Sequence, residues 1–157
     1  MVGNAHFAEF ALFQQRRPVS YPALPMINWN STLETGVAVI DNDHRTLIEQ
    51  INLLEEALQQ GAGKDRLGEL VAFLDKYTRM HFAREEALMT ERKCPVSGLN
   101  CTAHLLLLQK LDAWNNRLNA SGATTSLVLE INREMGAWIT QHIIKIDCRI
   151  NSPVASA

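Results

Sequence analysis

Four stretches of this chain repeat apolar residues at intervals of three and four, and only short breaks separate them. That spacing lays one apolar stripe along a helix, and nowhere does it give way to the sustained alternation of a half-buried strand. The first stretch runs over about 41–60, with Leu47, Ile48, Ile51, Leu54, Glu55 and Leu58 on its stripe. Asp41 or Asn42 serves as its N-cap, and "GAG" at 61–63 ends it. The second covers about 65–91 through Leu67, Leu70, Val71, Leu74, Tyr77, Thr78 and Leu88, and "CPVSG" at 94–98 breaks it. The third spans about 99–119 through Leu107, Leu108, Leu111, Trp114 and Leu118, up to "ASGA" at 120–123. The fourth covers about 124–149 with Leu127, Val128, Ile131, Met135, Trp138, Ile139 and Ile146. Four amphipathic helices joined by short breaks predict an all-α, antiparallel up-down-up-down four-helix bundle. At 157 residues the chain is long enough to bury one such core.

The segment ahead of the bundle reads differently. Residues 1–25 carry Pro18, Pro22 and Pro25, and no period follows Arg17. The chain thus divides into an irregular N-terminal extension at 1–25, a bundle domain at 26–150 and a tail at 151–157. Two readings of the extension stay open: an arm packed on the bundle, or an upstream start with Met26 as the natural first residue. "FAEFALF" is interrupted by Glu9 and followed by Arg16 and Arg17, which is not the layout of a signal peptide.

Charge and cysteine usage narrow the function classes. A net charge of −2 offers no basic surplus for nucleic acid or an anionic membrane. The longest apolar run, "LLLL" at 105–108, is far short of the ~20 residues that cross a bilayer. Four consecutive leucines on a helix must leave some apolar area outward, which hints at weak self-association. Cys94, Cys101 and Cys148 lack C-x-x-C spacing, so neither a disulfide framework nor a zinc ribbon is expected, and each reads as a small buried apolar residue. A cytoplasmic location is the expectation.

What interrupts the apolar stripes carries the chemistry. His6 lies in the extension, but His44, His81, His104 and His142 fall one per helix on the core-facing stripe. Such groups are rarely buried unless paired or metal-bound. In an antiparallel bundle, early positions on the first and third helices share a level with late positions on the second and fourth. All four histidines can therefore share one layer. Glu85 follows His81 by four residues and can face the same centre. Asp147 follows His142 by five, a rotation of ~140° on an ideal helix. On spacing alone Asp147 reads as solvated, unless a one-residue π-bulge turns it inward. Imidazoles with carboxylates suit iron or manganese, and a bridging carboxylate would let the set hold two metals.

These residues resemble a known family. The chain from about Trp29 to Arg149 is similar to the bacteriohemerythrins, small four-helix proteins with a non-haem di-iron centre that binds O2 reversibly. His44 stands in the I-D-x-x-H position, "HFAREEALM" at 81–89 follows H-F-x-x-E-E-x-x-M, and "WITQHIIKID" at 138–147 follows W-x-x-x-H-I-x-x-x-D. The resemblance implies two non-haem iron ions held by His44, His81, Glu85, His104, His142 and Asp147. It makes Glu85 and Asp147 the bridges, and places O2 at the iron held by His44 and His81. Trp29, Trp138 and Ile139 would then line an apolar pocket over the irons by analogy, but as plain core residues they need no such role, and core is the reading kept for them.

One position departs from the family pattern. A further histidine is expected five residues past Pro95, where this chain has Asn100. Its carbonyl is a weak neutral donor on a side chain shorter than imidazole, so this is a vacated or weak ligand position. Three functions follow as expectations. The first is an O2-binding protein for storage, delivery or sensing, not primarily an enzyme. The second is a di-iron redox enzyme acting on peroxide, NO or O2 through an opened site. The third is a metal-poor bundle that serves as an interaction module. The partner is accordingly O2 or another small diatomic or peroxide ligand.

Overall fold

The computed structural model describes residues 23–151, so positions 1–22 and 152–157 of the extension and tail lie outside the described residues. Within that span the chain forms α1 (Ala38–Gln59), α2 (Gly63–Glu91), α3 (Ser97–Ser121) and α4 (Thr125–Lys145). Short 3-10 turns at Ser31–Leu33 and Asp147–Arg149 flank them, and there is no strand among the described residues. Partners across each helix pair run in opposite directions. Asp43 and His81 meet near one end of α1 and α2, whereas a Cβ on Gly63 would touch Leu58 near the other. His104 reaches His142 while Trp114 reaches Glu130, and His44 reaches Asp147 while Glu55 reaches Asn132. The order is antiparallel throughout, as connections of a few residues require of helices this long.

The breaks fall close to the expected places, each for a local reason. Gly61 at φ +74° turns the chain out of α1, and Gly122 at φ +71° ends α3. Thr124 caps α4, its hydroxyl accepting from the Leu127 amide at 3.2 Å. The start of α1 differs from expectation. The helix begins at Ala38, and Asp41 is not its N-cap but lies inside the first turn. From there its Oδ1 accepts from the Thr35 amide and hydroxyl at 2.8 and 2.7 Å, fastening the loop that enters the helix.

The main core runs along the bundle axis, from Leu67, Leu74 and Val128 to Leu111, Ile131 and Ile139. A smaller cluster of Val37, Ile40, Met89, Cys94, Ile146 and Ile150 closes the end that carries the histidines. At the described edge of the extension, Asn52 grips both backbone groups of Ile27 at 2.9 Å, and the Leu24 amide donates to Glu55 at 3.0 Å. The leucine run divides as a helix dictates. Leu107 is buried, while Leu105 and Leu106 are 56% and 60% exposed. No helix among the described residues is long and apolar enough to cross a membrane.

Candidate metal centre

His44 near the start of α1, His81 late in α2, His104 early in α3 and His142 late in α4 converge at one level of the bundle, all buried. They form two groups of donors. His44, His81 and Glu85 compose one, and Glu85, His104 and His142 the other, with donor atoms inside each lying within 4.8 Å of one another. Glu85 belongs to both. Its Oε2 lies 3.3 Å from His104 Nε2 and 3.9 Å from His81 Nε2.

Asp147 ties the two groups together a second time. It is fully buried, with Oδ2 3.3 Å from His44 Nε2 and Oδ1 3.1 Å from His142 Nε2. A π-bulge is not what brings it inward. Instead α4 stops at Lys145, Ile146 leaves helical geometry at φ −121°, and a 3-10 turn begins at Asp147. Burial of Ile146 and Ile150 in the end cluster favours that break, and the altered pitch replaces the ~140° offset of a continued helix. Asp147 is thus not the solvated residue that its spacing alone suggested. Burial pushes its carboxyl up, but the facing rings of His142 and His44 outweigh this and hold it below the usual carboxylate range.

Second partners orient two of the imidazoles. Asp43 Oδ2 lies 3.3 Å from His81 Nδ1, and Glu86 Oε1 lies 2.8 Å from His104 Nδ1. Asp43 also accepts from Tyr77 at 3.0 Å and from Arg84. A carboxylate behind an imidazole fixes which ring nitrogen is free to coordinate. The Phe82 ring stacks on His104 with centroids 3.4 Å apart, and Trp138 stacks on His142 at 4.2 Å. The sequence reading missed Asp43, Glu86 and the stacking role of Phe82. For Asp43 the signal was available, since it neighbours His44 and would face Tyr77, His81 and Arg84 across an antiparallel pair.

Asn100 is fully buried beside these groups, its Nδ2 3.4 Å from Glu85 Oε2. Cys101 next to it is exposed and not the buried apolar residue expected, whereas Cys94 is buried and Cys148 half-buried. Trp29 packs against the main core, under the Arg45 guanidinium at 4.4 Å. Ile139 is buried in the main core.

The unpartnered atoms test whether this set suits a metal. Among the described residues, both ring nitrogens of His44, Oε1 of Glu85, Oδ1 of Asn100 and both oxygens of Asp147 are buried without a hydrogen-bond partner. Buried polar atoms are seldom left so, and six of the nine among the described residues belong to these four neighbouring side chains. His104 and His142 present their Nε2 atoms to each other at 3.1 Å. Two nitrogens bound at right angles to one metal, with bonds of ~2.1 Å, stand about that far apart. The donor set is oxygen and imidazole nitrogen with no thiolate, and it fits iron.

Comparison with known proteins agrees with that donor chemistry. The family described as the hemerythrin HHE cation binding domain matches residues 35–148. A bacteriohemerythrin of Pseudomonas paraeruginosa is 33% identical over 115 residues, covering 73% of this chain and 72% of that protein. One of Stenotrophomonas maltophilia is 28% identical over 120 residues, covering 76% of each chain. A third, from Methylococcus capsulatus, is 23% identical over 135 residues, covering 85% of this chain and all of the relative. With more than two thirds of its length matched in order and a layer of imidazoles and carboxylates at its closed end, this chain belongs to the hemerythrin family.

Proposed function

We propose that the protein binds O2 at a non-haem di-iron centre held by His44, His81, Glu85, His104, His142 and Asp147. One observation carries the reading: two groups of imidazoles are joined by Glu85 and Asp147, and many of their donor atoms are otherwise orphaned. Iron bound there would supply reversible coordination of O2. The chain's part is to hold, orient and seclude. Glu85 and Asp147 each face one histidine of either group, which suits them to bridge. Asp43 and Glu86 keep His81 and His104 in the tautomer that leaves Nε2 free. Phe82 and Trp138 exclude water from the rings they cover, which favours a neutral ligand such as O2 over hydrated anions.

Asn100 supports a second reading. It replaces the third imidazole expected beside His104 and His142 and offers only a carboxamide next to Glu85. A weakly held position there would open both irons to exchange and favour redox chemistry on peroxide, NO or O2. Metal analysis of anaerobically purified protein, followed by visible spectra as O2 is admitted and removed, separates the two. Two irons per chain with an absorption band that comes and goes with O2 supports binding. Immediate irreversible oxidation supports the redox reading. One metal per chain or none overturns both.

A further inference from the structure

A cavity of about 360 Å³ opens between α1, α4 and the segment around Leu24 and Pro25, a size suited to a small molecule. None of its lining residues belongs to the two groups of metal donors. Leu24, Ile27, Ile51 and Ala137 make its wall largely apolar, and Gly136 leaves it open by contributing no side chain.

Two buried polar residues interrupt that wall. Glu55 is 6% exposed and accepts from the Leu24 amide at 3.0 Å, Gln59 Nε2 at 2.7 Å and Asn132 Nδ2 at 2.6 Å. None of those donors is charged, and no cation pairs with Glu55 among the described residues. Asn132 is 3% exposed, and its Oδ1 has no partner among the described residues. A strut joining α1, α4 and the Leu24 segment accounts for the three bonds that Glu55 accepts. Among the described residues it accounts neither for a buried carboxylate without a counter-charge nor for an unpartnered amide oxygen in a residue that lines a cavity. A carboxylate has about four acceptor sites and an amide oxygen two, so most of the unused polar capacity here is acceptor, with one N–H of Asn132 Nδ2 left over.

We propose that this cavity binds a small primary ammonium compound with an apolar body. The ammonium pairs with Glu55 at the polar edge of the cavity, beside Asn132, while the body fills the space against Leu24, Ile27 and Ile51. Arg133, exposed on the same wall, offers a partner for a carboxylate. The same ammonium chemistry can therefore come from a free amine or from an α-amino acid.

The test is a titration of the full-length, iron-loaded chain with phenethylamine, L-phenylalanine and 3-phenylpropionate, followed by NMR chemical shifts or calorimetry. Saturable binding of an ammonium compound with 3-phenylpropionate silent is the expected result. Phenethylamine binding tighter than L-phenylalanine would identify a free amine as the ligand class, and the reverse order an amino acid. Glu55→Gln is expected to weaken binding about tenfold or more, as loss of a charge-assisted hydrogen bond does. Gly136→Met, which fills the cavity and suits a helix better than glycine, should abolish binding while helical circular dichroism and iron content stay unchanged. No saturation by either ammonium compound up to about 10 mM would overturn the proposal, as would equal binding of 3-phenylpropionate. Binding that survives in the Gly136→Met protein would overturn it as well.

Discussion

Replacing Asn100 with histidine directly tests the proposal that this is a vacated ligand position. The side chain is fully buried, its Nδ2 lies 3.4 Å from Glu85 Oε2, and its Oδ1 is unpartnered among the described residues. Two effects oppose each other in the metal-free protein. An imidazole is bulkier than a carboxamide, and overpacking a closed site costs about 1–3 kcal/mol. Loss of the orphaned carbonyl removes a penalty of similar size, about 1–3 kcal/mol. The 3.4 Å contact to Glu85 is too long to add much. Metal-free Asn100→His is therefore expected to fall within about 2 kcal/mol of the parent. With iron the balance is one-sided. Even residues that merely support a ligand change metal affinity about 10–100-fold, so an added imidazole beside Glu85, His104 and His142 should tighten binding at least tenfold, about 1.4 kcal/mol. The assay is the anaerobic loss of iron to excess chelator, with thermal unfolding of the metal-free and loaded proteins alongside. Slower loss of iron, a wider gap between the two melting temperatures and slower oxidation in air are expected together. Identical rates of iron loss and oxidation in the two proteins would refute the reasoning, because a ligand position cannot be filled without effect.

Three further substitutions probe what holds the site and the bundle. Burial raises the Asp43 carboxyl, but its contacts with His81, Arg84 and Tyr77 prevail and keep it below its ordinary range. Stability from such a group is present above the ordinary carboxylate pKa of ~3.9 and is lost as pH falls through the lower folded-state value. In the metal-free protein Asp43→Asn should cost about 1–3 kcal/mol near neutrality and flatten the acid limb of stability against pH; urea midpoints giving parallel curves would contradict this. Gly122 holds φ +71° and ψ −176°, and a Cβ there would meet only open space. Gly122→Ala should therefore cost about 1–3 kcal/mol through backbone strain alone, and an unchanged urea midpoint would count against that. Leu74 is fully buried in the main core, and Leu74→Ala should lower unfolding free energy by about 2–5 kcal/mol, read from urea or thermal unfolding.

Periodicity made the helices and their shared histidine layer readable in advance. A spacing of three and four places His44, His81, His104 and His142 on buried stripes, and short connections force opposite directions on successive helices. The His81–Glu85 pair was readable on the same basis, since residues four apart share a face whatever surrounds the helix. Cys101 shows the limit of such reasoning. It directly follows the buried Asn100, yet one residue's rotation of ~100° carries it to the exposed face.

The four helices, their antiparallel order and the histidines that meet are all encoded locally, because each follows from spacing along a continuous helix. Where α4 stops is a matter of long-range packing. The end cluster of Val37, Ile40, Met89, Cys94, Ile146 and Ile150 draws the chain out of helical geometry after Lys145, and that turn swings Asp147 between His44 and His142. Packing likewise selects the partners behind His81 and His104, and it shapes the cavity that Glu55 and Asn132 line. These features depend on contacts between residues far apart in the chain, and no local period encodes them.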